Sequence, residues 1–143
     1  MDEVLCDYLR SFNHIKQTDG VKHPQSLYGF FRNLKPKEDA IESANFLFQQ
    51  DIFDVYILTA PSVHNPMCYT EKRVWVEEHL GMDFVQRLII SPNKGLNRGD
   101  YLIDDHDTGR GQEGFQGKFI HFGQEEFPDW KTVMKFFKEK YNL

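Results

Sequence analysis

Residues 53–91 decide the fold: Phe53-Asp-Val-Tyr-Ile-Leu-Thr59, the loop Ala60-Pro-Ser-Val-His-Asn-Pro66, a helical run from Met67 to Leu80, then Arg87-Leu-Ile-Ile-Ser91. The two flanking runs are short and rich in β-branched and aromatic residues, and they are apolar without alternation. Gly81 marks the end of the helix between them. Strands that are not two-faced belong to sheets covered on both sides, and those are parallel sheets with helical connections.

The same alternation continues in both directions. Upstream, Lys35-Pro36-Lys-Glu-Asp39 opens a helix whose face carries Ala40, Ile41, Ala44, Leu47 and Phe48, with Pro and acidic residues suited to its first turn. Residues 1–17 place apolar side chains at 4, 5, 8, 9, 12 and 15, a helical spacing in which the first few residues also suit the tail of a strand. Residues 18–35 read as a loop ending in the aromatic group Tyr28, Phe30 and Phe31. Downstream, Pro92–Gly95 is a turn, Tyr101–Ile103 a third strand and Lys118–Phe122 a fourth. Pro128-Asp-Trp130 opens a last helix with Trp130, Val133, Met134, Phe136, Phe137 and Tyr141 on its apolar positions. The expectation is one α/β domain over residues 1–143.

Composition narrows the function classes. The 17 basic and 22 acidic residues leave a formal charge of −5, which argues against a dedicated nucleic-acid or anionic-membrane binder. A single phosphate needs only two or three donors and stays open. Cys6 and Cys68 form no metal or redox spacing, so a reduced, cytoplasmic setting with free thiols is expected. No apolar run approaches the ~20 residues of a membrane span, and no signal-peptide pattern is present. Phe is abundant, 13 of 143 residues, so aromatic packing should dominate the core or line a pocket.

The chemistry begins where the third strand ends, at Tyr101-Leu-Ile-Asp104-Asp105-His106-Asp107. Adjacent carboxylates repel and resist burial, and a hard divalent ion with oxygen ligands is one remedy. A solvated turn is the other reading of the pair. Ligands of parallel sheets sit beyond the carboxyl ends of the strands. Thr59, Lys94, Asp104 and Asp105 therefore belong together, Lys72 can point back to the same rim, and Asp2 adds a carboxylate. Taken singly, Thr59 is a strand end, the lysines are solvated charges, and Asp2 is a helix N-terminal acid. As an ordered set, the carboxylates suit Mg²⁺ while the hydroxyl and ammonium groups suit a phosphoryl group. His106 has no second His at ligand spacing, which sets zinc aside. A receiver-type signalling domain places its acidic pair early and its Lys last, the reverse of this order. Arg98-Gly-Asp100 is a three-residue chance match.

The set resembles the haloacid dehalogenase superfamily of phosphatases, and within it the 5'(3')-deoxyribonucleotidase family. The likeness runs through Gly29-Phe-Phe31, Leu34-Lys-Pro36, Tyr56-Ile-Leu-Thr-Ala-Pro61, Cys68-Tyr-Thr-Glu-Lys72, Trp75-Val-Glu77 and Tyr101-Leu-Ile-Asp-Asp105, and on to Asp129-Trp-Lys131. It implies a Rossmann-like three-layer α/β fold around a parallel sheet, with Mg²⁺ as cofactor and a nucleotide phosphomonoester as the small-molecule partner. Neither nucleic acid nor membrane is expected as a partner, and a homodimer is compatible. Residue by residue, the resemblance makes Asp2 the acid/base and, through its carbonyl, a metal ligand. Thr59 is the phosphate-binding hydroxyl, Lys72 and Lys94 neutralise the phosphate and acidic cluster, and Asp104 and Asp105 complete the metal site. Phe30 and Phe31 match the segment where cap meets core, either as substrate contacts or as ordinary packing.

Two departures qualify what the resemblance implies. The family's nucleophile is the aspartate two residues before the acid/base, and here that position precedes Met1. The expectation is a chain that forms no aspartyl-phosphate as written, with a non-catalytic Mg²⁺- and phosphate-binding or regulatory protein as the alternative. The central strand leading to that aspartate is also missing, which leaves unpaired edges beside it. The connection from Asp2 to Thr59 is short, and only residues 18–30 remain to form a reduced cap.

Overall fold

The short apolar runs do form strands, and each pairs in parallel with one neighbour. The computed structural model describes residues 1–143. Strand β1 (Ile57–Thr59) pairs with β2 (Leu88–Ile90), and β3 (Tyr101–Asp104) pairs with β4 (Lys118–His121). The two pairs remain separate two-stranded sheets. Between them lies an apolar slot of about 520 Å³, walled by β1 on one side and β3 on the other.

Five helices surround these sheets: α1 (Tyr8–Thr18), α2 (Ala40–Phe48), α3 (Cys68–Leu80), α4 (Met82–Val85) and α5 (Trp130–Tyr141). Helix α2 touches both α3 and α5. The buried set of α2 is Ala40, Ala44 and Leu47 with Ser43, as its spacing requires. Gly81 ends α3 with φ +88°, a conformation glycine adopts without a Cβ clash. Asp129 caps α5, its carboxylate accepting from the Thr132 N–H and hydroxyl at 2.8 Å. This mixed α/β arrangement with parallel pairing is the Rossmann-like, haloacid-dehalogenase-type fold expected from the sequence.

Three boundaries differ from expectation. Helix α2 starts at Ala40 rather than beside Pro36, because Pro36 is bridged to Cys6 and Asp39 adopts φ +59°. Helix α1 starts at Tyr8; the first residues form a turn in which the Met1 carbonyl accepts from the N–H groups of Val4, Leu5 and Cys6. Strand β1 is confined to Ile57–Thr59, so Phe53–Tyr56 lead into the sheet without pairing.

Two tryptophans tie the parts together through their indole N–H groups. Trp75 of α3 donates to the Leu34 carbonyl at 2.7 Å, and Trp130 of α5 donates to the Val4 carbonyl at 2.8 Å. The second bond fastens the last helix to the first turn of the chain, so Asp2 is held from both ends of the sequence. Phe30, Phe31, Phe84, Phe122, Phe127 and Phe137 are all buried, which answers the abundance of phenylalanine. No helix is long and apolar enough to cross a membrane.

Candidate active site

The carboxyl ends of β1 and β3 carry two charge pairs, one half-buried and one buried. On the first, the ammonium of Lys72 donates to Asp2 Oδ2 at 2.8 Å, Thr59 Oγ1 at 2.8 Å and the Ala60 carbonyl at 2.7 Å. An ammonium has three donors, and all three are used. The Phe31 ring lies 5.0 Å from the same nitrogen, so the cation is covered by an aromatic face. Helix α3 explains the burial. Its inner face is Cys68, Glu71, Lys72, Trp75 and Val76, and the i, i+4 relation aligns Lys72 with Cys68 and Val76.

The second pair joins Lys94, in the 3-10 turn Lys94–Leu96, to Asp104 at the end of β3. Asp104 is 1% exposed, and its other oxygen accepts from the His106 N–H at 3.3 Å. Burial pushes the Asp104 carboxyl up, but the Lys94 charge and hydrogen bond outweigh it and hold the carboxyl below the usual range. Asp105 behaves oppositely. Burial and the neighbouring Asp104 charge raise it, against the pull of His106. His106 Nε2 is 3.3 Å from its carboxylate, and the His121 ring contacts its carbonyl at 3.0 Å. One adjacent pair of aspartates thus has two different environments.

The two halves meet at Met1. Its amino group is buried, and that burial together with the nearby Lys94 charge pulls it below its ordinary range, while Asp2 pulls it up. Cys6 lies beside it, its sulfur 3.7 Å from Asp2 Oδ1. Burial and the Asp2 charge push its thiol well above the ordinary value.

The structure therefore gathers Asp2, Thr59 and Lys72 in one hydrogen-bonded group and Lys94 and Asp104 in a second, with Asp105 alongside. Phe30 and Phe31 belong to the hydrophobic core, at 5% and 1% exposure; Phe31 reaches the site through Lys72, and Phe30 packs edge-on against it. Sequence reasoning passed over Glu71. Its buried carboxylate accepts from the Gly29 N–H at 2.7 Å and the Phe31 N–H at 3.0 Å, pinning that loop over Lys72. The signal was present: an acid beside a lysine on the apolar stripe of α3.

No three His, Cys, Asp or Glu side chains cluster as a metal cage. Mg²⁺ does not need one, because it keeps several waters and binds through one or two carboxylates plus substrate phosphate. Asp104 and Asp105 supply hard oxygen donors of that kind, so the donor set fits.

Acceptors, a hydroxyl and two ammonium groups at the ends of parallel strands are the equipment of a phosphate-handling α/β protein. The chain belongs to the 5' nucleotidase, deoxy (pyrimidine), cytosolic type C family, whose family model matches residues 1–131. A provisionally named 5'(3')-deoxyribonucleotidase of Vibrio phage KVP40 is 38% identical over 139 residues, covering 95% of this chain and 80% of the phage protein. The human cytosolic-type 5'(3')-deoxyribonucleotidase is 37% identical over 106 residues, 74% of this chain and 47% of its own length. A provisionally named Bordetella pertussis 5'(3')-deoxyribonucleotidase is 44% identical over 77 residues, 54% of this chain and 41% of its own. The chain thus spans four-fifths of the phage relative and about half of the human one.

Proposed function

We propose that this site is that of a Mg²⁺-dependent phosphomonoesterase acting on deoxynucleoside monophosphates. The observation that carries the reading is the Lys72 ammonium held between the Asp2 carboxylate and the Thr59 hydroxyl. The Lys94–Asp104 pair lies at the end of the other sheet.

In this reading the Thr59 hydroxyl and the Lys72 and Lys94 ammonium groups hold the phosphoryl oxygens and offset charge that grows on them. Asp2 gives a proton to the leaving alcohol oxygen and later takes one from water. Asp104, Asp105 and the Asp2 carbonyl would hold Mg²⁺, which would supply further neutralisation of the phosphate. Phe31 and residues 18–30 form a small cap that shields the Lys72 side of the site. The attacking carboxylate of this chemistry sits two residues before the acid/base, and residues 1–143 contain none there. We assign phosphate binding and the proton-transfer step to the residues named above.

A non-catalytic binding or regulatory role is the second reading. It is favoured by Lys72 and Lys94 each being paired internally with a carboxylate. One experiment separates the two. Phosphate release from a panel of deoxynucleoside monophosphates with Mg²⁺ is measured for this chain and for one extended upstream by a strand ending in Asp two positions before Asp2. The enzyme reading expects release by the extended chain alone. An extended chain that binds phosphate but is inert over the whole panel supports the binding role and ends the enzymatic one.

A further inference from the structure

The side chains gathered at the strand ends carry too little positive charge for a phosphate ligand. Lys72 is paired with Asp2 and Lys94 with Asp104, and Asp105 adds a third carboxylate beside them. Two ammonium groups against three carboxylates leave the set one charge negative. A phosphomonoester brings about two more negative charges at neutral pH. Mg²⁺ on the carboxylates would lessen this repulsion, but it offers the phosphoryl oxygens no hydrogen-bond donor. The missing part is a further cation with free N–H groups, and the loop after β3 carries one.

That loop folds back onto the turn that bears Lys94. The Arg110 carbonyl accepts from the Lys94 N–H at 2.6 Å. The Arg110 N–H donates at 2.8 Å to Oε1 of Gln112, which is 5% exposed. The N–H and C=O of Arg110 are thus both held by buried residues. The two turns meet backbone to backbone, since a Cβ on Gly95 would lie 2.4 Å from the Gly111 carbonyl oxygen. The Arg110 side chain, by contrast, is exposed and joins none of the ion pairs. Asp107 and Glu113 share its loop, and neither pairs with it.

We propose, on the phosphate-binding reading of this site, that Arg110 is a further substrate-binding residue. Its guanidinium turns in over the Lys94 side and donates to two oxygens of a phosphomonoester or of free phosphate. The planar fork of an arginine matches two phosphate oxygens at once, which the compact ammonium of Lys72 or Lys94 does not. Lys72 and Lys94 also divide their charge with internal carboxylates, whereas Arg110 has no acid to leave. Because its backbone is already fixed beside Lys94, binding orders only the rotors of one side chain.

Calorimetric titration of the whole 143-residue chain with inorganic phosphate and with deoxyuridine 5'-monophosphate, Mg²⁺ present throughout, tests this. Arg110→Gln should weaken both probes about tenfold. Arg110→Lys keeps the charge without the fork and should lose about threefold. Arg98→Gln removes the same charge from an exposed position ahead of β3, at the strand's other end, and should change affinity less than about twofold. Melting temperatures without phosphate should agree within about 1 °C for all four proteins. Undiminished affinity in Arg110→Gln, or an equal loss in Arg98→Gln, would overturn the assignment while leaving the phosphate site itself in place. A loss accompanied by a lower melting temperature would mean that Arg110 only supports the Lys94 turn, and a loss confined to the nucleotide would put it on the sugar or base; either result overturns it. A parent chain that binds neither probe would instead end the phosphate reading, and this assignment with it.

Discussion

Lys72 Nζ lies 2.8 Å from Asp2 Oδ2, a contact between residues 70 positions apart that brings the first turn of the chain onto helix α3. The lysine side chain is 1% exposed and its partner's 29%, so the desolvation falls mostly on the cation. Lys72→Met removes the donor to Asp2, Thr59 and Ala60 together. Breaking a fully buried pair costs about 3–5 kcal/mol; with Asp2 partly in water, about 1–3 kcal/mol is expected. Urea titration reads this as a lower midpoint at unchanged slope. Phosphate binding, measured calorimetrically, should be lost in the same variant. Retention of full phosphate affinity would remove Lys72 from the site.

Glu71 gives a second and separable effect. Glu71→Ala leaves the Gly29 and Phe31 N–H groups without an acceptor, and buried unpaired donors cost about 1–3 kcal/mol each. A loss of about 2–4 kcal/mol is expected, with faster amide exchange concentrated at Gly29 and Phe31. Glu71→Gln keeps one acceptor oxygen and should lose about half as much. Uniform acceleration of exchange across α3 would mean that Glu71 supports the helix and not the loop.

These two neighbours show what could be read from the residues alone. The strands were legible because each is a brief apolar run closed by a polar residue that names the site, Thr59 or Asp104. Lys72 was legible by its position in that order, while its complete burial depends on the phase of α3, which places residues 68, 72 and 76 on one line. Glu71 shows itself in the sequence only as an acid on the apolar stripe of α3; its partners, backbone N–H groups 42 and 40 positions away, are announced by no side-chain pattern. The start of α2 was misplaced for a similar reason: Pro36 suits a first helical turn, but its bridge to Cys6 is a tertiary pairing that overrides the local preference. The four strands were legible singly, while their division into two two-stranded sheets with an apolar slot between them is a tertiary arrangement that no single run announces.

Helix α5 carries the pH dependence that is easiest to isolate. The Asp129 carboxylate accepts from the Thr132 backbone N–H and hydroxyl, and those bonds hold its pKa below the ordinary 3.8. A carboxyl depressed in the folded state contributes stability above its unfolded pKa and loses it as pH falls through the folded value. The melting temperature of Asp129→Ala should therefore lie below that of the parent at pH 6. The gap should narrow steadily as pH falls below about 4. A gap that stays constant down to pH ~2 would show that the ionised cap contributes nothing.

Two glycines contrast steric crowding with backbone conformation. A Cβ at Gly117 would lie 2.3 Å from the Gly99 carbonyl oxygen and 2.6 Å from that of Asp100, both backbone atoms just before β3. Those atoms cannot swing aside, and Lys118 beside them anchors the first rung of the β3–β4 ladder through the Asp100 carbonyl. At Gly123 the φ is +82° and nothing lies within 4 Å of a built Cβ. Gly123→Ala therefore meets only the left-handed conformation, about 1 kcal/mol. Gly117→Ala must move two strands apart, with a cost of about 3 kcal/mol or more. Thermal melts of the two variants should rank them in that order, with the Gly117 variant also exposing the Leu102 and Ile120 amides to exchange. The reverse ranking would mean that the β3–β4 sheet yields more readily than its register implies.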